Sequence, residues 1–252
     1  MSYARNVVRR LLKRQSDAVP PAVEEILAPL DLSFRVPLLS MYRGEPQLGL
    51  DGQHHAINPI IKISPSQGMW IYGLCLSGKP RATLEIGMCY GFSSLFFLAA
   101  IAKNKSGHHT AVDPDVRRHW HGIGLAHVSA LGMESAFRYI EERSVRAGVD
   151  LKRENSSFDV IFVDGSHRFD DVMSDFYLYA PLCGIGGCII FDDMWMPSIQ
   201  SAVAFVRTNR KDFVETPQPH GNICVFTRVG EDVREWDHFQ PFSKAGNAGR
   251  RS

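Results

Sequence analysis

One run constrains this chain more than any other: ATLEIGMCYGFSSLFFLAAI, residues 82–101. It opens as a short apolar strand, Ala82 to Ile86, and breaks at Gly87 and Gly91. It resumes as an apolar stretch, Phe92 to Ala102, long enough for a buried helix. Strand, glycine turn and helix in that order open a doubly wound nucleotide-binding sheet. Gly87 and Gly91 allow a sharp turn and leave room for a ligand where a Cβ would clash. Ser93 stands at the helix start, where its hydroxyl and unpaired N–H groups suit a carboxylate or phosphate.

The spacing is Glu85-x-Gly87-x-x-x-Gly91, not the G-x-G-x-x-G of a dinucleotide fingerprint. This loop resembles the first motif of class I S-adenosylmethionine-dependent methyltransferases. By itself it also suits any strand–helix turn of an α/β protein.

Size and charge narrow the classes. The 252 residues, 44% hydrophobic, suit one large domain with a substantial core plus appendages. A net charge of +1 argues against a nucleic-acid partner, which calls for a larger basic footprint. The five cysteines (Cys75, Cys89, Cys183, Cys188, Cys224) are odd in number and contain no C-x-x-C pair. They read as reduced core residues of a cytoplasmic protein. No apolar run is long enough to span a bilayer, so no membrane partner is expected. The first sixteen residues hold Arg5, Arg9, Arg10, Lys13 and Arg14 and no acid. Such a stretch suits a targeting peptide. The favoured reading is an amphipathic helix with Val7, Val8, Leu11 and Leu12 on one side, packing on the domain or on a second copy in a homodimer.

Residues 1 to about 66 lack a clear strand–turn–helix rhythm and are expected to form an N-terminal helical and loop cap. Within it a short helix is expected at Ala22–Leu27, and Ser40 to Asn58 reads as loop. Ser64-Pro65-Ser66-Gln67 offers a helix start for Gly68 to Leu76. His109 to Asp113 reads as a second strand ending in an acid, placed to accept ribose hydroxyls or to cap its turn. Helices are expected over Gly122–Leu131, Ser144–Leu151, Phe169–Leu182 and Pro197–Val206. Strands are expected over Ala136–Glu141, Phe158–Asp164 and Gly184–Asp192, with a closing hairpin of Phe213–Thr216 and Ile223–Val229. The expected fold is α/β: a Rossmann-like, doubly wound, seven-stranded, mostly parallel sheet with an antiparallel last strand. The expected division is a cap at 1–66, a core at 67–229 and a polar tail at 230–252 whose end, Ala245 to Ser252, is disordered.

Two apolar strands deliver Asp164, Asp192 and Asp193 to one sheet edge. Neighbouring strands lie about 4.8 Å apart, so these carboxylates crowd unless a cation or a proton neutralises them. Oxygen ligands of this kind suit Mg²⁺ or Ca²⁺; the same residues also serve as turn and helix caps.

The segment Phe158–Ser198 pairs V-D-G-S-H with G-G-x-I-I-F-D-D. It resembles the metal-dependent O-methyltransferases, most nearly the macrocin-like branch acting on sugars and other natural-product hydroxyls, and more distantly the catechol O-methyltransferases. The likeness runs over residues 64–229. It implies Asp164, Asp192 and Asp193 as metal ligands for Mg²⁺, with Asp164 also bordering the cofactor. It implies Glu85 beneath the methionine-binding loop, Ser93 on the methionine carboxylate, Asp113 on the ribose and Ser144 near the adenine. Two positions depart from the pattern. Where the sugar-modifying branch often has an acid two residues after the first metal aspartate, this chain has Ser166. Where the catechol enzymes have a lysine one residue further, it has His167.

The implied reaction is methyl transfer from S-adenosylmethionine to a hydroxyl of a small molecule: a sugar, polyol or phenolic natural product. His167, with an ordinary pKa near 6.5, is the candidate base, with a helix cap or metal-site support as its alternative. Trp195 and Met196 are candidates to line the acceptor pocket or simply to pack. Three other functions stay open: a metal-independent methyltransferase, a nicotinamide oxidoreductase and a non-catalytic adenosyl-binding protein.

Overall fold

The computed structural model describes residues 23–58 and 60–243. The basic stretch before residue 23 and the end of the tail after 243, for which a helix and disorder were expected, lie outside the described residues. The described chain begins with α1 (Val23–Leu27) and α2 (Leu32–Tyr42). A small antiparallel hairpin follows, β1 (Gln47–Leu48) with β2 (His54–His55), and then α3 (Pro65–Gly78). From there strand and helix alternate. β3 (Ala82–Ile86) leads to α4 (Phe92–Asn104), β4 (His108–Val112) to α5 (Ile123–Ala130), and β5 (Phe137–Ile140) to α6 (Ser144–Arg153). β6 (Phe158–Val163) leads to α7 (Phe169–Tyr179), and β7 (Cys183–Phe191) to α8 (Pro197–Asn209). β8 (Phe213–Thr216) and β9 (Cys224–Arg228) close the sheet.

The sheet order is β5-β4-β3-β6-β7-β9-β8. β3, the first large strand, lies in the middle, parallel to β4 on one side and β6 on the other. β9 runs antiparallel to both β7 and β8, so it alone opposes the rest. This matches the expected seven strands with a reversed last strand. The chain winds outward through β4 and β5, then crosses back to β6. The switch point of the winding therefore lies between β3 and its neighbours, where such sheets bind ligands beyond the strand ends.

Burial explains the pattern. In β6 every residue is buried except Asp159, as a parallel strand covered on both faces requires. Asp159 instead accepts from the N–H groups of Arg81 and Ala82 and pins the start of β3. On one face α1 to α5 pack Leu27, Phe34, Leu38, Phe96 and Phe97 against the sheet. On the other, α6 to α8 pack Leu151, Phe176, Tyr179 and Val203. Removing a side chain such as Phe96 or Phe97 from water contributes about 1.5–3 kcal/mol.

The structure corrects the reading of the first 66 residues. α2 is a full helix, yet its pattern is blurred because Leu32 and Val36 point outward, 62% and 60% exposed, and Pro37 sits inside it. The stretch expected as loop from Ser40 to Asn58 holds the end of α2 and the β1–β2 hairpin. The expected Phe169–Leu182 helix stops at Tyr179 and finishes as a 3₁₀ turn, Ala180–Leu182, where Pro181 cannot continue the ladder. The cap is joined to the core rather than laid beside it. Tyr42 of α2 packs its ring 4.8 Å from that of Phe92 and donates to the Ile63 carbonyl. Among the described residues no helix is long and apolar enough to cross a membrane.

Candidate active site

One row of hydrogen bonds builds the site. At the carboxyl ends of the parallel strands the ladder runs one residue past each strand. Gly87 donates to the Val112 carbonyl, Asp113 to Ile140, Asp164 to Ile86 and Asp192 to Val163. The residues that end these strands are thus fixed side by side along a single edge. Sheet pairing alone brings the glycine loop, Asp113, Asp164 and Asp192 together.

Gly87 has φ +92°. A Cβ there would stand 2.2 Å from the Asp164 carbonyl oxygen, so the loop after β3 crosses the end of β6 only with glycine. Gly91, at φ +88°, would place a Cβ 2.8 Å from Gly124 Cα of α5. Both glycines answer to the protein's own backbone, a constraint the ligand-clearance argument did not contain. Gly91 caps α4 without a side-chain hydrogen bond, which leaves first-turn N–H groups of a 13-residue helix as donors for an anion. Glu85 is wholly buried beneath them. It accepts from Ser93 Oγ at 2.5 Å and from the Ser94 hydroxyl, tying the helix start to the strand. Ser93 thus spends its hydroxyl on Glu85. Asp113 accepts from the N–H groups of Met88, Cys89 and Asp115 at 2.8–3.0 Å and shapes the loop from below. Burial pushes its carboxyl upward, and those three bonds pull against the rise.

The acids divide into two roles. Asp164 and Asp193 face His167, whose Nε2 lies 2.7 Å from Asp193 Oδ2 and 3.6 Å from Asp164 Oδ1. One ligating atom from each of these three residues falls within 4.8 Å of the others. Asp192 is buried beside them, and its Oδ1 is occupied. It accepts from Gln67 Nε2 at 2.6 Å, Asn222 Nδ2 at 2.9 Å and the Asp193 N–H at 2.7 Å. Burial and then the charges of Asp164 and Asp193 push Asp192 well above the usual carboxylate range. Burial also pushes Asp164 to about 6, against the pull of His167. Burial acts on Asp193 in the same direction, but bonds from His167, Trp195 and Asn222 hold it below the usual range. Asp164 and Asp193 together push His167 up to about 10. A pKa near 6.5 was expected; these two carboxylates favour the protonated ring.

Comparison with known proteins fits this geometry. Residues 84–194 match the family model described as a methyltransferase domain. Over those residues the chain is similar to a methyltransferase domain.

The match spans β3 to the residue after the aspartate pair, so the domain contains the glycine loop, Asp113 and the acid cluster. A caffeoyl-CoA O-methyltransferase from Stellaria longipes is 29% identical over 172 residues, 67% of this chain and 65% of that protein. The chain therefore spans just under two thirds of that relative's length. Among solved structures, the O-methyltransferase TomG from Streptomyces achromogenes, in complex with SAM, has a TM-score of 0.59 at 19% identity. It covers 79% of this chain and 91% of its own. An O-methyltransferase from Bacillus cereus, in complex with SAH, has a TM-score of 0.61 at 17% identity, covering 82% and 95%. Both share the fold of this chain.

The remaining expected residues fall at its margins. Ser144 opens α6, where its hydroxyl bonds the buried Asp175 and its carbonyl accepts from Tyr179 Oη. Trp195 turns its Nε1–H onto Asp193 Oδ1 at 2.8 Å, and Met196 packs against the core under α8. Cys89, expected among apolar neighbours, instead lies near Asp113, Asp164 and Glu85; burial and these charges push its thiol far up. All five cysteines are unpaired. Sequence reasoning missed Gln67, Asn222 and Trp70. Gln67 was visible only as a helix-start residue. Trp70, one turn along α3, stands edge-on to His220 at 6.4 Å between ring centroids, beside the loop that carries Asn222.

Proposed function

We propose that the chain is an S-adenosylmethionine-dependent O-methyltransferase acting on a small-molecule hydroxyl with the help of a divalent cation, Mg²⁺ by the hardness of its ligands. The observation that carries this reading is the shared edge: an uncapped helix N-terminus over Gly87 and Gly91, backbone-to-backbone against Asp164 of the acid cluster. The residues suit both groups. The first-turn N–H groups of α4 present donors for a carboxylate, and Asp113 stands at the tip of the neighbouring strand for a ribose. The buried acids, with Asp164 and Asp192 pushed upward, make a place where positive charge is stabilised. When bound, the methionine derivative supplies an activated methyl group and the cation lowers the pKa of the acceptor hydroxyl.

The protein's own part is alignment and proton handling. Asp164 and Asp193 would hold the cation, with Gln67 and Asn222 fixing Asp192 beside them. With the cation drawing off the two carboxylates, His167 would lose its own proton to water, and its Nε2 would then be free to accept that of the acceptor hydroxyl. Trp195 bonds Asp193, and Trp70 stands edge-on to His220 in the loop that carries Asn222. Together with the likeness to a caffeoyl-CoA O-methyltransferase, these rings support a planar phenolic acceptor within the wider class of sugars, polyols and phenols. The cap of residues 1–66 and the loop at 217–222 would then enclose the acceptor over the 67–229 core.

His167 favours a second reading. Once protonated, its ring supplies a positive charge between Asp164 and Asp193, as a metal-independent methyltransferase would need. Metal-stripped protein, assayed with S-adenosylmethionine and a panel of catechols and vicinal diols, separates the two. The metal-dependent reading predicts loss of transfer in EDTA, recovery with Mg²⁺ and none in Asp193→Ala. Full activity in EDTA would establish the second reading, and no transfer to any acceptor with Mg²⁺ present would count against both.

A further inference from the structure

A second cluster joins the β1–β2 hairpin to the loop after β4 and goes beyond the proposed reaction. The β1–β2 hairpin turns through Gly49 to Gln53 and presents Asp51 and His55. His55 Nε2 sits 3.0 and 2.9 Å from the two oxygens of Asp51. His121, from the loop between β4 and α5, stacks its ring on His55 with centroids 3.8 Å apart and planes 4° from parallel. One ligating atom from each of Asp51, His55 and His121 lies within 4.8 Å of the others.

The fold holds these groups together by means independent of their side chains. Leu50 N–H donates to the His121 carbonyl at 3.0 Å, and His127 of α5 meets Gln47 of β1 at 3.1 Å. At Gly49 a Cβ would lie 2.7 Å from that carbonyl and 2.9 Å from both Asp51 Oδ1 and His55 Cδ2. Only glycine lets the three residues converge. The side chains remain reachable: His55 is 21% and Asp51 52% exposed, and His121 lies on the surface.

We propose that Asp51, His55 and His121 form a transition-metal site, with Zn²⁺ as the best-suited ion, that clips the hairpin to the loop after β4. Two imidazoles and one carboxylate are a borderline-soft donor set, which selects Zn²⁺, Co²⁺ or Ni²⁺ over Mg²⁺. Ligands about 2.1 Å from one tetrahedral ion stand about 3.4 Å apart, so Asp51 and His55, now 2.9–3.0 Å apart, need only part slightly to admit it. The exposed His121 ring tilts out of the stack to bring its nitrogen to the same point, and water completes the shell. The clipped loop carries Trp120, which packs edge-on against Tyr90 of the glycine loop at 5.0 Å. Tyr90 Oη in turn accepts from the Asn58 N–H, just past the hairpin. Metal loading therefore braces one wall of the cofactor loop.

The test uses full-length, metal-stripped protein carrying Asp193→Ala, which disables the acid cluster. Zn²⁺ is titrated by calorimetry, and Co²⁺ by its visible absorption, in excess Mg²⁺. One site per chain is expected, together with a Zn²⁺-dependent rise in melting temperature. His121→Gln and His55→Ala, each checked for native circular dichroism, should weaken binding by about tenfold or more, since even outer partners of metal ligands are worth that much. No Zn²⁺ binding in Asp193→Ala, or binding that His121→Gln leaves unchanged, would overturn the proposal. Neither result depends on methyl transfer, so the clip and the reaction can fail separately.

Discussion

Gly87 and Asp175 show how much single positions decide. Gly87→Ala forces a β-carbon onto the Asp164 carbonyl in a backbone region that alanine avoids. The strain is expected to cost more than about 1 kcal/mol and to open the β3–β6 crossing. Chemical denaturation should show the loss, and binding of S-adenosylhomocysteine should weaken with it; a variant that binds and unfolds like the parent would contradict the crossing argument. Asp175 lies inside α7, 1% exposed, with Oδ1 lacking a hydrogen-bond partner. Burial pushes its carboxyl up to about 6. The unfolded chain ionises this group near pH 4, so between about pH 4 and 6 the folded state binds the extra proton. Stability from this residue is therefore full below that window and falls as pH rises through it, by at most about 3 kcal/mol. Asp175→Asn should flatten the fall and be the more stable protein near pH 8. An unchanged slope in urea melts across that range would show that Asp175 is not its source.

At the scale of elements, α3 links the cap to the acid cluster. Ser64 accepts from the Gln67 N–H at 3.2 Å, and the Gln67 side chain reaches back to Ser64 N–H at 3.4 Å. Gln67 also gives its Nε2–H to Asp192. The two residues should therefore separate by function. Ser64→Ala loses a cap worth about 1 kcal/mol and should leave Mg²⁺ affinity unchanged. Gln67→Leu loses the cap partner and also frees Asp192, so stability and Mg²⁺ affinity should fall together. Equal Mg²⁺ affinity in the two variants, read by calorimetry, would remove Gln67 from the site. The helix start was legible because Ser-Pro-x-Gln is a local signal. The bond to Asp192 was not, since it joins residues 125 apart that no local pattern relates. The same reason hid Asn222. β3, α4 and β6 were legible from apolar runs bounded by glycines and acids. α2 was not, because two outward apolar residues and an internal proline erase its period.

For the molecule as a whole, one sheet edge gathers the glycine loop, Asp113 and the acid cluster. The ladder bonds that extend past β3, β4, β6 and β7 are what align them. The sequence showed that acids end these strands, and a strand-order rule placed them together. It did not show that Asp164 and Asp193 would raise the pKa of His167, or that Asp192 would be tied behind them. Both follow from side chains meeting across the finished sheet. The most direct measurement is calorimetric titration of S-adenosylhomocysteine into the metal-stripped protein, in EDTA and in Mg²⁺, followed by a catechol. The account predicts micromolar nucleoside binding in both conditions and catechol binding only with Mg²⁺. Absence of nucleoside binding in either condition would contradict it at the glycine loop, and catechol binding that ignores Mg²⁺ would contradict it at the acid cluster.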